Sequence, residues 1–69
     1  MVEIRLKITK HAKEKMVLHG IASEQIKRVI LFGAKNKQTD GYLASYTYIR
    51  VAYKVIGENY YKIKTVFVN

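Results

Sequence analysis

Two runs in the last third of the chain alternate apolar and polar side chains with a period of two, and Gly57-Glu58-Asn59 separates them. This alternation constrains the fold more than any other feature. Successive side chains of a strand point to opposite faces, so each run predicts a strand with one face for a core and one for solvent. From Tyr46 the odd positions are Thr47, Ile49, Val51, Tyr53 and Val55, and the even ones are Tyr46, Tyr48, Arg50, Ala52 and Lys54. In the second run the odd positions are Tyr61, Ile63, Thr65 and Phe67, against Tyr60, Lys62, Lys64, Val66 and Val68. The even face of the pair therefore interleaves cations with flat rings. Such a surface suits single-stranded nucleic acid, whose phosphates need positive charge and whose bases stack on aromatics.

The other elements follow from local signals. Val2, Ile4, Leu6 and Ile8 alternate with Glu3, Arg5 and Lys7, the pattern of a half-buried strand. Thr9 then caps a helix from Lys10 to His19, with Gly20 as its left-handed stop. Ser23 is the next cap, and Ile26, Val29 and Ile30 form one stripe of a second helix ending near Gly33. Lys35 to Thr39 is a loop or weak strand, and Asp40-Gly41 a hairpin turn. With neither Gly nor Pro between Tyr42 and Ile56, continuous extended structure is expected there, a long strand or a pair bent near Ser45. The fold class is α+β: a twisted antiparallel sheet of about four strands with two N-terminal helices packed on one face, in the order β-α-α-β-β-β.

A chain of 69 residues makes one domain, spanning 1–69. At this size only about 60% of the unfolded surface is buried, which leaves no room for a deep catalytic cleft. Thirteen Lys and Arg against five Asp and Glu give a net charge of +8, so either the partner is polyanionic or acidic, with RNA or DNA ahead of an acidic protein, or the charge is a solvated surface without a partner. The absence of cysteine excludes disulfides and thiolate metal sites and fits an intracellular protein. The apolar runs are too short to span a bilayer and the N-terminus lacks a signal-peptide core, so a cytoplasmic location without membrane contact is expected.

On the first helix, His11, Lys15 and His19 fall at about 0°, 40° and 80°, flanked by Leu18 on one side and by Ala12 and Met16 on the other. They are expected within the apolar arc, where a histidine needs partners for its ring nitrogens and a lysine must snorkel. His11 then either ties the helix start to the sheet or serves a site directly, with Lys15 and His19 as supports or phosphate contacts. The two histidines lie about 12 Å apart along the axis and cannot share a metal. Glu3, Glu14, Glu24, Asp40 and Glu58 are scattered one to a segment, and no phosphate-binding glycine loop is present. No metal and no cofactor is expected.

Thr9-Lys10-His11-Ala12, Lys15-Met16 and His19-Gly20-Ile21, with Arg50-Val51-Ala52-Tyr53 and Ile63-Lys64-Thr65-Val66-Phe67 near the end, resemble a small domain-of-unknown-function family. That family has the pattern His-Ala-x-x-Arg-Met-x-x-Arg-Gly-Ile. It is in turn similar to the RelE/ParE and BrnT toxins, many of them ribonucleases neutralised by a cognate antitoxin. The resemblance implies a RelE-like helix-on-sheet fold. It carries over onto His11, Arg50, Tyr53 and Thr65, whereas Lys15 and His19 stand where the family has arginines. An ammonium or an imidazole does not reproduce a bidentate guanidinium.

The first functional expectation is a toxin-like, metal-independent endoribonuclease acting on single-stranded or ribosome-bound RNA. Attack by the RNA 2′-oxygen on its own phosphate needs an acid, a base and cations but no protein nucleophile. His11, an imidazole able to serve as acid or base, and Arg50 are the catalytic candidates. Arg50, Lys54, Lys62 and Lys64 would hold phosphate, with Lys15 and His19 as supports or further phosphate contacts, and Tyr48 or Tyr60 would stack a base. The alternatives are a non-catalytic module that binds RNA or DNA through the same face, and a toxin-like protein acting through a protein partner.

Overall fold

The structure, a computed structural model, describes residues 3–68. Val2 of the expected first strand lies outside them. Strand β1 (Arg5–Ile8) leads into helix α1 (Lys10–His19) and helix α2 (Ser23–Phe32), and four strands follow: β2 (Ala34–Gln38), β3 (Gly41–Tyr46), β4 (Ile49–Gly57) and β5 (Tyr60–Val68). They form one five-stranded sheet in the order β1-β5-β4-β3-β2. Three of the four pairings are antiparallel, but β1 runs parallel to β5, so the sheet is mixed rather than purely antiparallel. Parallel neighbours need a long crossover, and here α1, α2 and three strands lie between them.

The helix boundaries arise from local chemistry. Thr9 caps α1, its Oγ1 accepting from Ala12 N at 3.2 Å and donating to the Ile63 carbonyl at 2.8 Å, so one hydroxyl both starts the helix and ties it to β5. Gly20 ends α1 with φ 67°, and the next N–H, of Ile21, returns to the Met16 carbonyl at 2.8 Å. The second cap is displaced by one residue from Ser23 to Ala22. Ala22 has no acceptor side chain, and the Gln25 amide oxygen instead accepts from Ala22 N at 2.8 Å. That is half of a reciprocal capping arrangement.

Helix α1 packs mainly on β5, and α2 on β3 and β4. The core between the layers comprises Ala12, Ile21, Ile26, Val29, Ile30, Ala44, Ile49, Val51, Tyr53, Ile63 and Val66. Gly33 allows the chain to leave α2 tightly against β3, because a Cβ there would meet the Val29 carbonyl and stand 2.6 Å from the Ser45 carbonyl oxygen. Any side chain at this point would push the sheet off the helix.

Two irregularities correct the simple alternation. Where the sequence predicts a long strand or a pair bent near Ser45 over Tyr42 to Ile56, the chain makes a full turn at Thr47–Tyr48, flanked by the pair Tyr46 and Ile49, and so adds a fifth strand. Thr47 holds φ 55°, and its hydroxyl donates to the Tyr46 carbonyl at 2.6 Å. In β5, Lys64 is an unpaired extra residue, because Ala52 faces Thr65 and Tyr53 faces Ile63. The bulge reverses the alternation beyond it. Val66 is therefore fully buried and Val68 packs against the core, whereas Thr65 and the exposed Phe67 fall on the opposite face from the one expected. Val55, expected among the inward residues, is 49% exposed near the end of β4.

Candidate nucleic-acid interface

Because both helices cover the same side of the sheet, the other side is open. The pairing register decides which residues occupy it. Ile8 pairs with Ile63 on the core side, so Lys7 and Lys62, the next pair, share the open side, and Arg5 and Tyr60 follow two positions further. Lys54 is the partner of Lys62 on β4. Lys7, Lys62 and Lys54 thus form a row across three adjacent strands, at a strand spacing of about 4.8 Å. Arg50 and Phe67 make another open-side pair, and the bulged Lys64 joins the same face. Directly opposed like charges destabilise a sheet, so the fold itself gains nothing from this row.

Asp40, in the β2–β3 turn, engages two of these cations. Its carboxylate lies 3.2 Å from Lys54 Nζ and 3.5 Å from Lys64 Nζ, and Lys64 also donates to the Asp40 backbone carbonyl at 2.6 Å. These are the two ion pairs found among the described residues. The hydrogen bond and charge of Lys54, with the charge of Lys64, hold the Asp40 carboxyl below its ordinary value. The pairs are exposed and add little to stability. Their geometry nonetheless shows two ammonium groups converging on one anion. At the β1 edge, the Arg5 guanidinium stands 5.0 Å from the Tyr60 ring centroid.

Arg50, Lys54, Tyr60, Lys62 and Lys64 are thus brought to one face, as the alternation predicts. Arg5 and Lys7 belong there too and are missed by the sequence reading. Their alternation is visible, but their adjacency to Lys62 arises from the parallel pairing of strands at opposite ends of the chain.

The remaining candidates lie elsewhere. The buried line of α1 is narrower than its helical wheel suggests. Ala12, fully buried, allows close approach to β5, and Met16 and Lys15 are half-buried, while His11, His19 and Leu18 are exposed. No polar or charged residue is buried among the described residues, so neither histidine occupies the helix–sheet seam. The tie between helix start and sheet is made by Thr9, not His11. Helix α1 packs on the core side whereas Arg50 projects from the other, so His11 and Arg50 do not form a joint centre, and Lys15 and His19 are likewise remote from the cationic row. Tyr48 sits in the β3–β4 turn, where it lines a cleft with Gln25, Arg28, Val29, Tyr46, Thr47 and Ile49. Tyr53 and Thr65 divide between the faces, Tyr53 in the core and Thr65 on the open side. Burial, with Tyr61 and Tyr42 nearby, raises the Tyr53 hydroxyl above its ordinary value.

Among the described residues no group of three or more His, Cys, Asp or Glu could hold a metal ion, and no helix is long and apolar enough to cross a membrane. A family model described as a domain of unknown function (DUF4258) matches residues 8–68. No curated protein and no solved structure matches the chain.

Proposed function

We propose that this chain, which belongs to the DUF4258 family, binds single-stranded RNA across the open face of its sheet. The Lys7–Lys62–Lys54 row carries this reading. Three cations in direct cross-strand register work against folding and are relieved by a polyanion laid across the strands. Arg50 and Lys64 extend the row, and Tyr60 and Phe67 supply flat rings beside it for bases. The net charge of +8 steers a nucleic acid toward the domain. The test is titration of a labelled single-stranded RNA at several salt concentrations. Lys54→Glu with Lys62→Glu should abolish binding with the fold intact, as judged by circular dichroism. Binding that survives both charge reversals would sink the proposal.

A toxin-like ribonuclease is a second reading. The two helices on one face of the sheet support the similarity to the RelE/ParE and BrnT toxins, and the open face holds the Arg, Lys and Tyr groups that metal-independent cleavage requires. The RNA 2′-oxygen would attack the adjacent phosphate while Arg50 and the lysines carry the developing charge. Proton transfer would fall to Lys or Tyr60 on this face rather than to His11. Cleavage should persist in EDTA, leave 2′,3′-cyclic phosphate ends and spare DNA, which lacks the 2′-hydroxyl. A cognate antitoxin would cover the same cations with carboxylates. RNA that is bound yet left intact, both naked and on ribosomes, removes this second reading and leaves the first.

A further inference from the structure

The cleft at the β3–β4 turn lies off the cationic face, and nothing in the binding reading accounts for it. It has a volume of about 190 Å³ and lies between the middle of α2, through Gln25, Arg28 and Val29, and the turn residues Tyr46 to Ile49. Clefts that enclose a drug-sized ligand run to roughly 300–1,000 Å³, so this one suits a single planar ring. Its walls combine two kinds of surface. Val29 and Ile49 are its buried residues, while Tyr46 and Tyr48 are 39% and 52% exposed. The Gln25 amide nitrogen and the Arg28 guanidinium provide donors for a base edge, the Gln25 oxygen being engaged by the Ala22 N–H at 2.8 Å.

Two further observations bear on this site. Thr47, which lines it, holds φ 55° at the first central position of a two-residue hairpin turn, where glycine is favoured. A β-branched residue in that conformation is strained, and such strain concentrates at functional sites. Phe32, one helical turn beyond Arg28, meets Tyr46 with ring centroids 6.2 Å apart and a 45° tilt, so the Tyr46 wall is held in place before any ligand arrives. Tyr48 has no such partner among the aromatic pairs of the described residues. Arg50, two residues past Tyr48, is already on the open face, so the cleft begins where the cationic surface ends.

We infer that this cleft is a nucleobase subsite: one base of the RNA on the open face turns over the β3–β4 hairpin and stacks on Tyr48, with Arg28 and Gln25 at its edge. The inference rests on the RNA-binding reading and extends it with a site that can discriminate among bases. Phosphates on the sheet give affinity without sequence preference, whereas an edge met by an amide and a guanidinium is base-selective.

The experiment compares two probes, a short single-stranded RNA and the same RNA carrying one abasic residue, placed at each position in turn. Loss of one stacked base corresponds to about 5- to 150-fold in affinity. At one position the abasic probe should bind the wild-type protein more weakly by a factor in this range. Tyr48→Leu, which keeps apolar bulk at an exposed site, should lower affinity for the intact RNA by a similar factor and leave affinity for that abasic probe unchanged. Arg28→Gln should reduce the preference among the four bases at that position. If Tyr48→Leu weakens both probes equally, or neither, while Lys54→Glu with Lys62→Glu still abolishes binding, the cleft holds no base and the inference is overturned with the binding reading intact. If the wild-type protein binds neither probe, both fall together.

Discussion

Removing a carboxylate that forms both ion pairs of the described structure should strengthen function at almost no cost in stability. Asp40 holds Lys54 at 3.2 Å and Lys64 at 3.5 Å, and these are cations that the open face would otherwise turn toward phosphate. In Asp40→Asn, Lys54 loses its charged partner outright. Lys64 loses the carboxylate but keeps the backbone carbonyl of residue 40 at 2.6 Å, so its release is partial. Each cation newly placed on a phosphate steepens the dependence of log K on log salt by about 0.7 for a single strand. One freed lysine gives about 0.7, and two give about 1.4. Over a fourfold rise in salt, the variant should then lose about 2.6- to 7-fold more affinity than the wild type, starting from tighter binding at low salt. Anisotropy titrations of a labelled single-stranded RNA at four or five salt concentrations measure both quantities. Glu14→Gln is the matched control, since it changes net charge by the same amount on exposed α1, away from the row. Restoring the loss with Lys54→Gln in the Asp40→Asn background should cancel the gain. An unchanged slope in Asp40→Asn, or an equal gain in Glu14→Gln, would refute the view that Asp40 masks a local anion site.

Other expectations concern the fold. Ile63 is fully buried between α1 and β4, so Ile63→Ala should cost roughly 2–5 kcal/mol in denaturant unfolding, whereas Lys62→Ala beside it should change stability little. Thr9→Ala removes both a helix cap and a bond to the Ile63 carbonyl, and should cost about 1–2 kcal/mol, near the upper end for a cap alone, with Thr9→Ser recovering most of it. Tyr53 has a raised value in the folded state, chiefly through burial. Its stabilising contribution is therefore complete below the ordinary tyrosine range and is lost as pH rises through the folded value. Tyrosinate absorbance should show one late-titrating tyrosine whose ionisation coincides with alkaline unfolding, and Tyr53→Phe should remove that step.

Much of the architecture is legible because its signals are local. Thr9, Gly20 and the stripe of Ile26, Val29 and Ile30 place the helices within a residue of their observed limits, since caps and periodicity act over a few positions. Ile49 and Ile63 are inward as their alternation predicts. The unread features depend on tertiary context. Thr47 occupies a left-handed turn position without the glycine or asparagine that would announce it, so two strands look like one. The extra residue at Lys64 is apparent only against the register of β4, and beyond it the faces of Val66 and Phe67 exchange. The site divides in the same way. Arg50, Lys54, Lys62 and Lys64 share a face that alternation can foresee. Lys7 joins them through a parallel pairing, and His11 lies outside the expected seam, which α1 fills with fully buried Ala12 and half-buried Met16.

The parallel contact between β1 and β5 also constrains how this domain can assemble. Strand β5 lies between β1 and β4, yet it is synthesised after every other element of the sheet it joins. Until it leaves the ribosome, the β2–β4 meander and β1 are two separate edges with no strand between them, and α1 has no floor. Closure then requires residues as far apart as Arg5 and Tyr60 to meet, a non-local step of the kind that slows folding. The nascent domain is thus an open clasp, and the strand that carries Lys62 and Lys64 is also the one that shuts it. The full Lys7–Lys62–Lys54 row needs β5 paired with both β1 and β4, so a chain still lacking β5 cannot present it.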